Sequence, residues 1–245
     1  RSAWELVQPL AEAGDVTAQY LRGKMLADGL GTPKSTAEAA AWYRKAADQG
    51  DALAMNDLAG LLLSGEGISK DPQEAIELTR KAAEAGLATA QFNYGMQLQR
   101  GTLVAKDPKE AFVWLMRSAE QGEADGQFAV AGLYLTGHGV AQDDKAAAVW
   151  FRKAAEQGHA GAQTYLGTML TLGRGGPRNV SEAFKWYKQS AEQGLASGQY
   201  NLALCYREGE GVEKDYGQAL AWASKAADQQ DVDAQNLLGA MYERG

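Results

Sequence analysis

The sequence contains a single cysteine, Cys205, and only two histidines among its 245 residues. One cysteine can form neither an internal disulfide nor a zinc site built from several thiolates. The cysteine content therefore excludes a disulfide-stapled fold and gives no information about the redox compartment.

The sequence also lacks basic clusters and long apolar runs. It has 24 Lys and Arg against 31 Asp and Glu, a formal net charge of -7 at pH 7, and no basic stretch that could neutralise a row of phosphates. Its apolar stretches, such as residues 58–63, are far shorter than the ~20 residues needed to cross a bilayer. We therefore expect neither nucleic-acid binding nor a membrane span in this segment.

Proline is scarce, with 5 residues, whereas 45% of the residues are hydrophobic and 22% are charged. This composition is typical of a folded protein with a substantial core. The length alone allows one or two compact domains or an elongated repeat array. The periodicity of the sequence has to decide between them.

Two series of glycines repeat every 36 residues without an insertion. The first follows the motif Ala-Glu-Gln-Gly or a close variant and comprises Gly14, Gly50, Gly86, Gly122, Gly158, Gly194 and the substituted Gln230. The second comprises Gly29, Gly65, Gly101, Gly137, Gly173, Gly209 and Gly245. Two series in one register over the whole chain predict a repeat protein.

Each period contains two helical patterns. Residues 35–47 place Ala39, either Trp42 or Tyr43, and Ala46 on one helical face, and capping-box pairs precede this pattern in most periods. These pairs are Ser35/Glu38, Asp71/Glu74, Asp107/Glu110, Asn179/Glu182 and Asp215/Gln218. Residues 88–98 form the second pattern, in which a small residue recurs at Gly23, Ala59, Gly95, Ala131, Gly167, Ala203 and Gly239. Because a glycine within a helix is unfavourable, this recurrence predicts close helix packing.

The predicted organisation is all-α: one helix in residues 1–14, six 36-residue units in 15–230 and a final helix in 231–245. About fourteen helices would stack as hairpins into an α-α superhelix, or solenoid. Neither end carries a divergent polar cap of the kind that closes such arrays. We therefore expect the natural protein to extend beyond one or both ends.

The repeating motif is Ala-x-x-Trp-Tyr-x-Lys-Ala-Ala-x-Gln-Gly, followed by Ala-x-Ala-Gln-x-x-Leu-Gly-x-x-Tyr-x-x-Gly-x-Gly-Val. It is most complete in residues 147–175 and 183–212. This motif resembles the bacterial members of the Sel1-like repeat family, which is related to the tetratricopeptide repeat. The resemblance implies an adaptor that binds proteins, in the periplasm or outside the cell, although the cysteine pairs of several bacterial members are absent. A cytoplasmic location stays open.

No residue pattern indicates a metal site, a cofactor or catalysis. His138 and His159 stand at positions that vary between periods, and Cys205 occupies a position held elsewhere by Met or Leu, which favours a core role. The loop 29–35 lacks the glycine that directly precedes Lys in a phosphate-binding loop, and it follows a helix instead of a strand. The sequence therefore predicts a protein that is not an enzyme.

If the second helix of each hairpin lines the concave surface, as in tetratricopeptide proteins, the partner-binding positions follow from helical spacing. They are Tyr20, Lys24, Asp28, Asn56, Ser64, Phe92, Met96, Arg100, Phe128, Leu135, Thr164, Thr168, Tyr200, Leu204 and Arg207. These positions vary between units, as expected for a surface fitted to one partner. The alternative is that Tyr20, Phe92, Phe128 and Tyr200 only pack against the next hairpin. The recurring Trp42, Trp114, Trp150, Trp186 and Trp222 are predicted to belong to the core.

The leading hypothesis is a non-catalytic adaptor or inhibitor, for example an immunity protein or an envelope regulator, that binds a protein through the concave face. A module binding glycans or peptidoglycan fragments is the first alternative, because the same aromatic residues could stack on sugars. A hydrolase is the second alternative, although no motif supports it.

Overall fold

The computed structural model describes residues 2–243, which form fourteen α-helices and contain no strand. The odd-numbered helices are α1 (Ala3–Glu12), α3 (Thr36–Asp48), α5 (Pro72–Glu84), α7 (Pro108–Glu120), α9 (Asp144–Glu156), α11 (Val180–Glu192) and α13 (Tyr216–Asp228). The even-numbered helices are α2 (Val16–Asp28), α4 (Ala52–Ser64), α6 (Ala88–Arg100), α8 (Ala124–Thr136), α10 (Ala160–Leu172), α12 (Ala196–Glu208) and α14 (Val232–Glu243). The predicted all-α repeat of helix hairpins is confirmed.

The helices form two compact units. Unit 1 ends at Gln121 and contains α1 to α7, and unit 2 begins at Gly122 and contains α8 to α14. Inside each unit, an even-numbered helix packs most extensively against the odd-numbered helix that follows it. Each unit has its own buried clusters, which include Tyr43 and Leu58 in unit 1 and Phe151 and Leu166 in unit 2.

Both glycine series end helices with a positive φ angle. In the Gly29 series, the glycines from Gly29 to Gly209 have φ between 67° and 75° and follow the even-numbered helices, and Gly245 lies outside the described residues. Glycines of the Gly14 series have φ between 89° and 96°, and Gln230 adopts 66° in their place. Because a side chain is strained in this region, the requirement explains why glycine recurs at these positions.

The helix starts differ in part from the predicted capping boxes. The side chains of Ser35, Asp71 and Asn179 accept a hydrogen bond from the backbone N–H three residues later, as expected. Their own backbone N–H groups do not need the returning Glu side chain, because each donates to a carbonyl of the preceding helix, as Ser35 does to Leu26 at 2.9 Å. The Glu side chain is then free to bind elsewhere, and Glu182 accepts from Arg152 at 2.6 Å. This also explains how Ala146 can stand where the other units have Glu or Gln.

Most glycines of the recurring small position mark close helix contacts, as predicted, but a Cβ atom added to Gly239 in α14 would meet no described atom within 4 Å. A Cβ atom added to Gly23 would lie 2.7 Å from a ring carbon of Tyr43. Added to Gly167, it would lie 2.6 Å from a ring carbon of Tyr187. Real Cβ contacts are longer, so these glycines allow a bulky side chain on the next helix to lie against the backbone.

A pair of glutamines links the two helices of most hairpins. Gln121 Nε2 donates to Gln91 Oε1 at 2.8 Å and to the Gly86 carbonyl at 3.0 Å. The same side-chain pair recurs as Gln49/Gln19, Gln157/Gln127, Gln193/Gln163 and Gln229/Gln199. One hairpin has Met55 and Ala85 at the two positions instead. Both amides are replaced together there, so no buried acceptor loses its donor.

We expect Gln121→Ala to lower the free energy of unfolding by about 1 kcal/mol, because the acceptor oxygen of Gln91 would lose its donor. The double variant Gln91→Met with Gln121→Ala reproduces the natural Met55/Ala85 pair and should recover part of the loss. Urea unfolding of the two variants and of Gln91→Met completes the cycle. Additive losses would show that the two amides are not coupled.

Candidate functional site

A groove runs along the face that α2, α4 and α6 share in unit 1. It encloses about 670 Å³ and is lined by seven of the eight binding positions predicted on these helices, namely Lys24, Asp28, Asn56, Ser64, Phe92, Met96 and Arg100. Tyr20, the eighth, does not line the groove but is hydrogen-bonded to Asp57, which does. Helical spacing therefore brings most of the residues chosen in this unit to one surface.

A chain of polar side chains lies along this groove. The Tyr20 hydroxyl donates to Asp57 Oδ2 at 3.4 Å, and Asn56 Nδ2 donates to Asp57 Oδ1 at 3.3 Å. Asn93 Nδ2 donates to Asn56 Oδ1 at 3.1 Å. Asp57 and Asn93 were not predicted, because spacing from the small residue selected only their neighbours Asn56 and Phe92. Both are polar at the repeat position that Leu21 occupies in the first unit, and this difference was the sequence signal that could have identified them.

Asp57 is half-buried, and this affects its ionisation. Burial raises the pKa of Asp57 above its ordinary value, although the hydrogen bonds from Asn56 and Tyr20 and the charge of Lys24 oppose the shift. Burial, with the nearby Asp57 charge, also raises the pKa of Tyr20 to about 12. Tyr20 thus remains a neutral donor, while the Asp57 carboxylate carries an unfavourable charge at neutral pH.

Charges at the groove rim are paired or exposed to water. Lys24 Nζ lies 3.4 Å from an oxygen of Asp28, and Glu66, which also lines the groove, lies 3.4 Å from Lys34 Nζ. Arg100 is exposed at the end of α6. Exposed ion pairs of this kind contribute little to stability, so the rim can be remodelled by a partner.

The predicted aromatic positions of unit 2 lie in packed surroundings. The Phe128 ring stacks on His159 with centroids 4.4 Å apart, and it also contacts the rings of Phe151 and Tyr165. Tyr200 is half-buried against a cluster that includes Leu237. One face of Phe128 is thus covered by the imidazole of the same unit.

The other predicted positions of unit 2 form internal contacts. Thr164 is buried, and its hydroxyl lies 2.8 Å from that of Ser190. Thr168 accepts from the Tyr187 hydroxyl at 3.2 Å. The remaining residues pack against core clusters or pair locally, namely Leu135, Leu204 and Arg207. Unit 1 therefore offers the more open set of predicted residues.

The sites considered for chemistry have structural roles. Burial raises the pKa of Cys205 to about 12, so a reactive thiolate is disfavoured, and the side chain packs in the core. His159 is the N-cap of α10: its Nδ1 accepts from the Ala162 N–H at 3.0 Å, and its Nε2 lies 3.2 Å from Asp125. Sequence reasoning missed this cap because Asp is the residue at this position in three other units. The described residues contain no group of three or more potential metal ligands.

No helix between residues 2 and 243 is long and apolar enough to span a bilayer.

The recurring tryptophans lie at the edge of the core. Trp114 is buried and the others are half-buried, and a cation from the next helical turn covers most of the rings. Lys45 Nζ, for example, lies 3.8 Å from the ring centroid of Trp42. Arg22 of α2 also lies over the Trp42 ring, at 4.2 Å from its centroid. The tryptophans therefore combine core packing with cation–π contacts.

We expect Asp57→Asn to stabilise the protein at neutral pH. The folded-state pKa of Asp57 is raised, so the native protein binds the proton more tightly and wild-type stability falls as the pH rises through that range. The variant lacks this loss, and its advantage should shrink as the pH is lowered and Asp57 becomes protonated. Thermal unfolding across the acidic range, with the exposed Asp28→Asn as control, measures the difference. Equal shifts in both variants would contradict the assignment to burial.

Two equivalent serines provide a matched test of whether Thr164 is fixed by packing. Ser190→Ala removes hydrogen bonds to Thr164 and to the Ala160 carbonyl, and should cost about 1 kcal/mol of unfolding free energy. Ser118 is equally buried, but its hydroxyl has no hydrogen-bond partner in the described chain. Ser118→Ala should therefore be neutral or stabilising. Denaturant unfolding of both variants would contradict this account if the two losses were equal.

Comparison with known proteins places these repeats in one family. The Sel1 repeat matches residues 16–51, 52–87, 88–123, 124–159, 160–195, 196–231 and 232–245. No curated protein matches the chain in sequence.

Several solved structures share the fold. A protective antigen present in uropathogenic Escherichia coli strains, which displays an SLR fold, is 36% identical with a TM-score of 0.90; the alignment covers 100% of this chain and 52% of that one. The chain thus spans about half the length of that relative. A Sel1 repeat protein from Oxalobacter formigenes is 34% identical over 87% of this chain and 85% of its own, with a TM-score of 0.79.

An immunity protein from Pseudomonas aeruginosa is 24% identical, with a TM-score of 0.52 over 89% of this chain and 82% of its own, and it shares the fold alone. The repeat matches, which extend from residue 16 to residue 245, agree with the glycine and helix periods described above. The chain belongs to the Sel1 repeat family.

Proposed function

We propose that the protein is a non-catalytic scaffold that binds another protein through the groove of α2, α4 and α6. The observation that carries this proposal is the contrast between a strictly repeated framework and the irregular lining of the groove. Framework positions hold glycine, alanine and glutamine at 36-residue spacing, whereas the groove brings together Lys24, Asn56, Phe92, Met96 and Arg100. Aromatic residues, Met and Arg are enriched where proteins bind each other.

The fold supports this proposal because a stack of hairpins provides a long face for a partner. The immunity protein from Pseudomonas aeruginosa is an example of this fold in an immunity protein. It supports an inhibitor role for this chain at the level of the fold only. An adaptor and an inhibitor make the same demand on the groove, namely stable binding of one protein.

Capture of the partner from the lysate and envelope fraction of the native organism tests the proposal. With purified components, the double variant Phe92→Ala and Met96→Ala should weaken binding by about tenfold or more, because both residues lie in the groove. Val113→Ala, an exposed residue of α7 that does not line the groove, should leave the affinity unchanged.

Unchanged affinity of the groove variant, with unfolding confirming that it is folded, would contradict the assigned surface. Competition by soluble sugars would instead favour the glycan-binding alternative. Cell fractionation would test the predicted periplasmic or extracellular location, which stays a prediction.

A further inference from the structure

Two polar residues of the groove, Asp57 and Gln97, stand at repeat positions where the other units have different residue types. Asp57 is the only carboxylate at its position, where the other units have Leu21, Asn93, Ala129, Tyr165 and Asn201. Gln97 stands at a core position held elsewhere by Met25, Leu61, Leu133, Met169 and Cys205. Both residues line the same cavity. The charge at one position and the polar residue at an otherwise apolar position, both in one cavity, point to a role outside the framework.

Asp57 lacks a cationic partner in contact with it. Its carboxylate receives hydrogen bonds from the neutral Asn56 and Tyr20, at 3.3 and 3.4 Å. It forms no ion pair within the described chain: the charge of Lys24 acts on it from beyond contact distance, and Lys24 itself is paired with Asp28 at 3.4 Å. A partly buried charge without a counter-ion in contact is costly, and bringing a cation to it is correspondingly favourable.

Gln97 also lacks a donor. Its Oε1 atom is buried, and no hydrogen-bond donor reaches it in the part of the chain that the structure describes. Asp57 and Gln97 therefore both contribute acceptor oxygens to the lining of the groove. A group that binds to both oxygens is a donor, and the charge of Asp57 favours a cationic one.

Apolar side chains accompany these acceptors. Phe92 and Met96 line the groove and are half-buried. An arginine side chain combines an apolar stem with a planar cation that carries five donors and stacks on aromatic rings. Arg100 at the rim is exposed, so water solvates its charge and it does not occupy the place of a cation beside Asp57.

We propose that the groove of unit 1 holds an arginine side chain of the protein partner, with its guanidinium paired to Asp57 and its stem against Phe92 and Met96. This inference rests on the proposed function, because it assigns the anchor of the partner at the same groove. The electrostatic match is local: of the carboxylates that line the cavity, Asp28 and Glu66 are already paired, whereas Asp57 is not.

Short peptides test the inference without knowledge of the partner. The probes are acetyl-Leu-Arg-Leu-amide, its lysine twin and its citrulline twin, which keeps the shape of arginine but carries no charge. Titration is followed by NMR through the side-chain amide signals of Asn56 and Asn93. The arginine peptide should cause saturable shifts of both signals. The citrulline peptide should bind at least about tenfold more weakly.

Asp57→Asn should abolish the preference for arginine over citrulline, while Asp48→Asn, which alters an exposed carboxylate of α3 outside the groove, should retain it. Equal binding of arginine and citrulline, absence of shifts, or an unchanged preference in Asp57→Asn would overturn the inference. Tighter binding of the lysine peptide would overturn the choice of guanidinium.

The captured partner separates this inference from the proposed function. If Phe92→Ala with Met96→Ala weakens partner binding but Asp57→Asn does not, the groove is the binding surface and the arginine anchor is wrong. If neither variant weakens it, the proposed surface itself is wrong.

Discussion

The close approach of each even-numbered helix to the following odd-numbered helix is the constraint on which the other features depend. At Gly23 and Gly167 the next helix places a tyrosine ring where a Cβ atom would stand. In three units the position holds alanine instead, and the residue at the tyrosine position of the next helix is Thr79, Phe151 or Ala223. Packing of this density fixes the distance between the helices and hence the register of the loops that join them.

The fixed register explains why polar linkages can repeat. Gln121 can reach both Gln91 and the Gly86 carbonyl only if the hairpin has the same geometry as its counterparts. The N-cap N–H groups likewise donate to carbonyls of the preceding helix because the loop returns to the same place each time. Backbone groups at the helix starts are thus satisfied by the framework, which releases side chains such as Glu182 to bind a neighbouring helix.

The sequence predicts the framework well because the framework is made of repeated local requirements. Positive φ angles demand glycine, close contacts demand small residues, and helix starts demand caps, so each leaves a residue type at a fixed spacing. Other features depend on one non-repeated contact. The cap formed by His159 requires the imidazole to turn toward the Ala162 N–H, and the burial of Thr164 depends on Ser190 being its neighbour. The 36-residue periodicity of the sequence does not predict such single contacts.

The groove shows the same limit. Spacing from the small residue identifies Asn56, Phe92 and Met96, because these lie on one face of their helices. It does not identify Asp57, since the contact of Asp57 with Tyr20 joins two helices and leaves no trace in the spacing along one of them. Sequence reasoning therefore locates the face and leaves its chemistry to the three-dimensional contacts.

Comparison with the other units helps to interpret the polar residues of the groove. In an irregular protein, a half-buried aspartate without a cation or an amide oxygen without a donor could reflect a local compromise in packing. Here the other units show that the same backbone accepts leucine at the position of Asp57 and methionine at that of Gln97. The framework does not require the polar residues, and an unpaired buried acceptor lowers stability. A residue that the fold can replace with an apolar one, and that weakens the fold when present, is best explained by a contact formed with another molecule.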